Sequence, residues 1–521
     1  TAYTFIHDLG FLPKIKDGKR GFKVVIGGGL GANPYLAQVA FEFLEEDQIM
    51  PFTESIIRVF DRFGERNRRM KARLKFLVDE IGLPELMRLA EEERIALKRK
   101  VYQVNEDSLP DPELSEFESE AEPEFIDEHR YQRWHSTNIV EQKQEDLFGV
   151  YIKLPLGNLS SDKARKLADI VDKYAANEMR ITINQGYLIR HVRPHALRHL
   201  YVALDELGLA EPGFDSVGDI TACPGTDSCN LAISDSTNIS LEFERVIREE
   251  FPDLIYNNDI KIKISGCPNS CGQHGLAGIG FHGSTIKDKQ GKVLPALVVL
   301  LGGGKLKNGE GIISDKLIKL PSRRGPDALR ILLRDYETNS IDGEYYHSYF
   351  TRQGRNHFYN LLKPLGDVTN TLTTEYIDWG QEERFILHTA VGECAGVIID
   401  LVATLFYESE EKLALAKENF NNKHYADSIY HSYSAFINTA KALLLTKEIK
   451  PSTQIQLLND FQQHFVDSGL FPFEGDFKEF VLRINKNQPG ADFAAQYMND
   501  SAKFLSDIEA FRAKENEAIV K

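Results

Sequence analysis

Five cysteines occur in 521 residues, and four of them fall in two short turns. Cys223 and Cys229 lie in "ACPGTDSC", a C-x5-C spacing, and Cys267 and Cys271 lie in "GCPNSC", a C-x3-C spacing. Both turns open on Cys-Pro, where the backbone is bent and its N–H groups can face inward. Four thiolates gathered by such turns suit a soft metal or a cluster, since thiolate is the ligand type those centres select. A [4Fe–4S] cluster uses four thiolates and is tuned by N–H donors to its sulfurs. Zinc is the rival, although structural zinc is usually held by C-x2-C to C-x4-C knuckles in a small module. A disulfide or a chance grouping is the third reading. The fifth cysteine, Cys394, sits in the apolar run "CAGVIIDLVATLF" and reads as a small buried hydrophobe.

The turns need elements to hold them. "DIKIKISGCPNSC" is a strand entering the second turn, and "LEFERVIREEF" is a helix between the pairs. Upstream, residues 147–209 read as strand, capped helix, strand, helix, half of a ferredoxin-like α+β unit. Ser161 and Asp162 supply the N-cap, and Leu167, Ile170, Val171 and Tyr174 fall at helical spacing. "MRITINQGYLIRHV" alternates as one half-buried strand should. The segments "RGFKVVIGGGLG" and "LPALVVLLGGGKLK" are both apolar strands ending in Gly-Gly-Gly, about 275 residues apart, each followed by a basic helical segment. That period indicates a duplicated domain and not a solenoid. A partner for the ferredoxin-like half is then expected before Thr1, and the chain is expected to be a piece of a longer protein. The glycine triplets complete no G-x-G-x-x-G or G-K-S/T phosphate loop.

Composition narrows the function classes. Hydrophobic residues make up 42% and charged residues 27%, as in soluble globular proteins. No run of 18 apolar residues occurs, so no membrane span is expected. The net charge of -16 disfavours nucleic acid as a partner. Sparse cysteine and the lack of a signal sequence imply a reducing cytoplasm. The expected organisation is an α/β part over 1–103 and an acidic linker over 104–130. A ferredoxin-like half over 131–211, a metal-bearing domain over 212–345, a connector over 346–407 and a helical bundle over 408–521 follow.

The pair "TACPGTDSC" and "SGCPNSCGQHGLAGIGFHG" resembles the siroheme-containing sulfite and nitrite reductases. "RITINQGYLIRHV", "GFKVVIGGGLG" and "RRMKARLKFLVDEIG" resemble the same family, and the likeness covers residues 1–340 and, less closely, the stretch to 407. The resemblance implies a duplicated α+β sulfite/nitrite reductase fold. It implies that Cys223, Cys229, Cys267 and Cys271 ligate a [4Fe–4S] cluster, with Cys271 bridging to the siroheme iron. Asn269 and the strand residues Arg180, Asn184 and Gln185 are expected to face the siroheme. Lys261 and Lys263 are counterparts, by repeat logic, of the family's anion-binding lysines, but no catalytic residue is assigned, since most of the substrate pocket belongs to the half expected upstream. The implied reaction is a six-electron reduction of sulfite to sulfide or of nitrite to ammonia; sulfite is favoured because a helical tail resembles assimilatory sulfite reductases. A ferredoxin or flavoprotein would donate electrons, and the basic stretch 66–75, "RNRRMKARLK", could receive an acidic donor. The tail resembles a HEPN helical domain at "AKENFNNKHYADSIYHSYSAFINTAKALLL" but has no Arg-x4-6-His, so docking or dimerisation is expected of it in preference to RNA cleavage. A zinc-stabilised interaction protein is the alternative of a different class.

Overall fold

The structure is a computed structural model. It describes residues 3–104, 113–118, 121, 123, 127–306, 309–341, 343–387 and 401–520. Cys394 and much of the acidic linker lie outside the described residues.

The chain opens with an antiparallel sheet, β1 (Leu9–Lys16), β2 (Lys19–Ile26) and β3 (Gln38–Glu45), in the order β1-β2-β3. Asp17 and Gly18 both have positive φ, as a two-residue hairpin turn between right-twisted strands requires. Helices α1 (Ile49–Phe63), α2 (Leu74–Ile81) and α3 (Leu83–Arg94) cover it, burying Val24, Ile26, Phe52, Ile56, Val59 and Leu86. The sequence predicts continuous helix through residues 51–82. Instead Gly64 takes an extended conformation and ends α1, and residues 66–71 form an exposed loop before α2.

The next layer runs α4 (Glu128–Asn138), β4 (Ile139–Glu141), β5 (Phe148–Ile152), α5 (Ser161–Tyr174), β6 (Met179–Ile181), β7 (Tyr187–Val192) and α6 (Leu197–Glu206). Its four strands are antiparallel in the order β4-β5-β7-β6, and Trp134, Ile152, Leu167, Val171, Ile189 and Leu200 fill its core. Two expectations are corrected here. The N-cap of α5 is Ser160, whose side chain accepts from the Lys163 N–H, one residue before the expected Ser161–Asp162 pair. The single strand expected over 179–192 is a hairpin. Thr182 and Gly186 exchange hydrogen bonds across the turn, with Gln185 at φ 65°.

The following stretch runs β8 (Thr221–Ala222), α7 (Ser236–Glu250), β9 (Ile262–Ser265), β10 (Ile279–Lys287), β11 (Val293–Leu301), β12 (Gly304–Lys305), β13 (Gly311–Ile312) and β14 (Asp315–Pro321), and it forms a third, five-stranded sheet with β12 and β13 as a separate small pair. The strand order is β14-β11-β10-β9-β8, with β8, β9 and β10 parallel and the rest antiparallel. Helices α8 (Gly325–Asn339), α9 (Tyr346–Gln353) and α10 (Arg355–Leu362) pack on it. Tyr346, Tyr349, Phe350 and Phe358 share one core with Phe243, Ile264 and Phe281, so this core runs past residue 345.

The tail is α11 (Leu401–Asn421), α12 (Tyr425–Thr446), α13 (Gln454–Phe461), α14 (Phe477–Leu482) and α15 (Ala491–Val520), around Phe436, Phe461, Phe477 and Phe504. Among the described residues the tail is helical from Leu401, ahead of the expected 408. The chain forms two compact units: Thr1–Tyr3, Leu30–Leu36 and Asp107–Ala395 make one, and Thr4–Gly29, Ala37–Glu106 and Gly396–Lys521 the other. The tail therefore packs with β1–β3 and α1–α3. Among the described residues, no helix is long and apolar enough to cross a membrane.

Candidate functional site

Strands β8 and β9 are parallel neighbours, with Ala222 opposite Ile264. Each ends at a cysteine turn, so the two turns leave the same edge of the sheet, where α/β sheets hold ligands. The first turn tightens at Gly225, φ 59°, and the Cys229 N–H closes it on the Gly225 carbonyl at 3.0 Å. In the second, Ser270 and Gln273 have φ 65° and 60°.

The turns are pressed together backbone to backbone. The Gly266 N–H donates to Cys223 Sγ at 3.1 Å, and the Cys223 N–H donates to the Ile264 carbonyl at 3.2 Å. The Ile233 and Ser234 N–H groups both donate to the Gly266 carbonyl, at 2.8 and 3.0 Å. A Cβ on Gly266 would lie 2.7 Å from Gly225 Cα, and one on Gly272 would lie 1.9 Å from the Ile264 carbonyl oxygen. Only glycine permits this approach.

All four thiols are free. Cys267 is buried, Cys223 and Cys229 are half-buried, and Cys271 is exposed. Burial pushes the Cys267 thiol up, partial desolvation by the surrounding turns does the same at the surface-accessible Cys271, and the neighbouring Cys223 and Cys229 add to the effect on both. Backbone N–H groups of Asn269 and Cys271 oppose it, toward Cys267 and Cys271 respectively. Backbone N–H groups thus reach the sulfurs of Cys223, Cys267 and Cys271, the kind of donor that tunes a thiolate-bound centre. Among the described residues no three His, Cys, Asp or Glu side chains close on one point. Thiols beside backbone N–H donors are the ligand type that an iron–sulfur cluster uses. The donor set fits a cluster.

The other expected site residues divide. The Gln185 amide pairs with the Ala222 backbone in both directions, donating to its carbonyl at 2.8 Å and accepting from its N–H at 3.0 Å. Gln185 thus fixes the residue before Cys223. Asn184 Oδ1 accepts from Lys263 Nζ at 3.3 Å. Asn269 is exposed at the tip of its turn. Arg180 lies on the exposed edge strand β6 and pairs with Glu178 at 2.8 Å, because the hairpin separates it from Asn184 and Gln185. The structure brings Gln185 and Asn184 to the cysteine turns and does not bring Arg180 there.

Lys263 is the residue that sequence reasoning undervalued. It is 2% exposed, and its ammonium donates to Asn184, to Thr221 Oγ1 at 3.2 Å and to Gln273 Oε1 at 3.3 Å. It therefore ties the hairpin, β8 and the end of the second turn together. Burial pushes its ammonium down to about 8. Its signal in the sequence was a lysine inside a strand buried on both faces. Lys261 instead pairs with the Asp215 carboxylate at 3.0 Å.

The parallel strand ends of a mixed sheet thus present four thiols beside a half domain of antiparallel strands and helices. The sequence matches the nitrite and sulphite reductase 4Fe-4S domain over residues 2–98 and again over 213–366, and the nitrite/sulfite reductase ferredoxin-like half domain over 140–207. Residues 402–497 match the HEPN domain. The chain belongs to the nitrite and sulphite reductase family, whose cofactors are a [4Fe–4S] cluster and siroheme. It is 28% identical over 301 residues to the chloroplastic ferredoxin–nitrite reductase of Zea mays, covering 57% of this chain and 49% of that protein. It is 27% identical over 380 residues to the sulfite reductase [NADPH] hemoprotein beta-component of Geobacillus kaustophilus, covering 70% of this chain and 59% of that one. The Mycobacterium tuberculosis NirA structure superposes with a TM-score of 0.54 at 25% identity, over 68% of this chain and 62% of that chain. The chain spans about half the length of the plant relatives it matches.

Proposed function

We propose that this chain is the cofactor-bearing part of a reductase that converts sulfite or nitrite, by six electrons, to sulfide or ammonia. Cys223, Cys229, Cys267 and Cys271 hold the [4Fe–4S] cluster. Cys271, the exposed thiol, and Asn269 would also hold the siroheme. When bound, a [4Fe–4S] cluster and siroheme would supply the one-electron redox chemistry that such a reduction needs. The observation that carries this reading is the convergence of both cysteine turns from adjacent parallel strand ends.

The chain's own residues position that site. Gln185 holds Ala222, Lys263 holds Thr221, Asn184 and Gln273, and Gly266 and Gly272 let the turns touch. The electron donor is an external protein, a ferredoxin or a flavoprotein, in a cytoplasmic setting. Within the basic stretch 66–75, Arg66, Arg68 and Arg73 pair with Asp61, Glu65 and Asp8, while Arg69 and Lys71 are exposed in the loop and suit an acidic donor surface.

The helical tail favours sulfite by resemblance, whereas most of the similar relatives are ferredoxin–nitrite reductases and one is a sulfite reductase component. The test is a visible spectrum of the full-length protein followed by sulfite and nitrite reduction assayed side by side with one donor. Siroheme absorption and turnover of either anion support the proposal. A colourless protein carrying one zinc per chain contradicts it.

A further inference from the structure

In the unit that joins β1–β3 and α1–α3 to the tail, a charged residue is completely buried. Arg62, near the C-terminus of α1, is 0% exposed and pairs with Glu93 of α3, itself 1% exposed. Asn485 of the tail bridges the two. It accepts from Arg62 Nη1 at 2.7 Å and donates to Glu93 at 3.0 Å. The guanidinium also lies 4.6 Å from the centre of the Tyr433 ring of α12. Two tail residues, Asn485 and Tyr433, thus line this ion pair. A buried pair stripped of one partner leaves an uncompensated charge, and here the bridging amide of Asn485 in the tail helps to satisfy both ions.

The contacts continue into the loop after α1. Gln454 of the tail donates to Asp61 at 3.1 Å. The Arg66 N–H donates to the Ser452 carbonyl at 2.7 Å, and the Asn67 side chain donates to the Lys450 carbonyl at 2.9 Å. A main-chain hydrogen bond from a surface loop to another domain fixes the backbone of that loop, whatever its side chains do.

We infer that the helical tail is an intramolecular clamp: Arg62 is its pin, and it sets the conformation of the basic loop 64–73. The partner of the tail's docking face is this chain's own α1–α3 face. This holds whether or not the loop receives the electron donor, and it gives the HEPN domain a role that requires no RNA chemistry.

The test places a site for a sequence-specific protease within residues 388–400 of the full-length protein. After cleavage the two pieces co-elute, and the Arg66 amide exchanges with solvent as slowly as in the uncut chain. Arg62→Glu, which sets a second carboxylate against Glu93, separates the pieces and speeds Arg66 exchange by about tenfold or more. Asn485→Leu, the milder change, also speeds Arg66 exchange while leaving the Gly266 amide at the cysteine turns unchanged, and it decides the matter if Arg62→Glu yields no soluble protein. Separation of the wild-type pieces on cleavage overturns the inference. So does unchanged Arg66 exchange in Asn485→Leu.

Discussion

The hairpin β1–β2 and the hairpin β10–β11 follow one plan. Each is preceded by a three-residue 3-10 helix, Thr4–Ile6 or His274–Leu276. Each has a glycine, Gly10 or Gly280, where a Cβ would collide with the carbonyl of Thr4 or His274. Each ends in a glycine at φ near 80°, Gly27 or Gly302. There the N–H groups of Gly27 and Gly28 reach back to Asp8 and His7, and those of Gly302 and Gly303 reach back to Gly278 and Ala277. A 15-residue helix, α1 or α8, follows the third strand in both. The offset is 270 residues at Thr4 and His274 and 275 at Gly27 and Gly302, because the second hairpin has longer strands and a longer loop. The backbone plan is duplicated and the side-chain chemistry is not. The second copy adds cysteine turns at the edge of its parallel strands. The first copy sends Arg62 from its helix into a polar node shared with the tail. Glycine positions preserve the frame, and each copy spends it on a different purpose.

The comparison can be broken most sharply at the first copy. Arg62→Leu leaves Glu93 buried without its cation and should destabilise the protein by about 3–5 kcal/mol in denaturant unfolding. A loss below 1 kcal/mol would mean that the node does not distinguish the copies. In the second copy, Gly272→Ala drives a methyl group into the Ile264 carbonyl and should cost about 3 kcal/mol together with metal content. Gly291→Ala, at positive φ in open space, should cost only about 1 kcal/mol, and equal losses at the two glycines would refute close approach as the reason for Gly272.

Lys263 gives a smaller, pH-dependent contrast. Its ordinary value is 10.5 and burial lowers it to about 8. Between these values the unfolded chain binds a proton that the folded chain does not. The cost of burying the ammonium is thus fully present below pH 8 and is released as pH rises to 10.5. Relative to Lys263→Met, the wild type should therefore gain up to about 3 kcal/mol across that window, measured by denaturant melts at several pH values. A flat difference would show that the ammonium is not desolvated. The smallest effect is expected at Arg180, whose exposed pair with Glu178 contributes less than about 1 kcal/mol. Arg180→Ala should leave both stability and cofactor content near wild type, and loss of siroheme in that variant would return Arg180 to the site.

Much of this was legible in the sequence. The cysteine turns declared themselves by residue type and spacing, and the repeat by two glycine triplets. The failures have physical causes. Period-two alternation runs straight through Asn184–Gly186, so a hairpin reads as one strand. Strand β3, "QVAFEFLE", has one buried residue, Leu44, and so carries little hydrophobic pattern. The loop 64–73 is rich in arginine, a good helix former, and is held open by partners far away in the chain. Arg62 looks like any surface arginine on an amphipathic helix until Asn485, 423 residues on, comes into contact with it.

The central claim is that four thiols from two adjacent strand ends hold one cluster and that Cys271 joins it to the haem. Full-length wild type and Cys271→Ser should be compared by iron and acid-labile sulfide content and by low-temperature EPR and Mössbauer spectra. The wild type should show a [4Fe–4S] cluster magnetically coupled to siroheme. In Cys271→Ser that coupling should be absent, with cluster iron lowered by about tenfold if the site cannot assemble. Coupled spectra and iron content unchanged in Cys271→Ser would contradict the account.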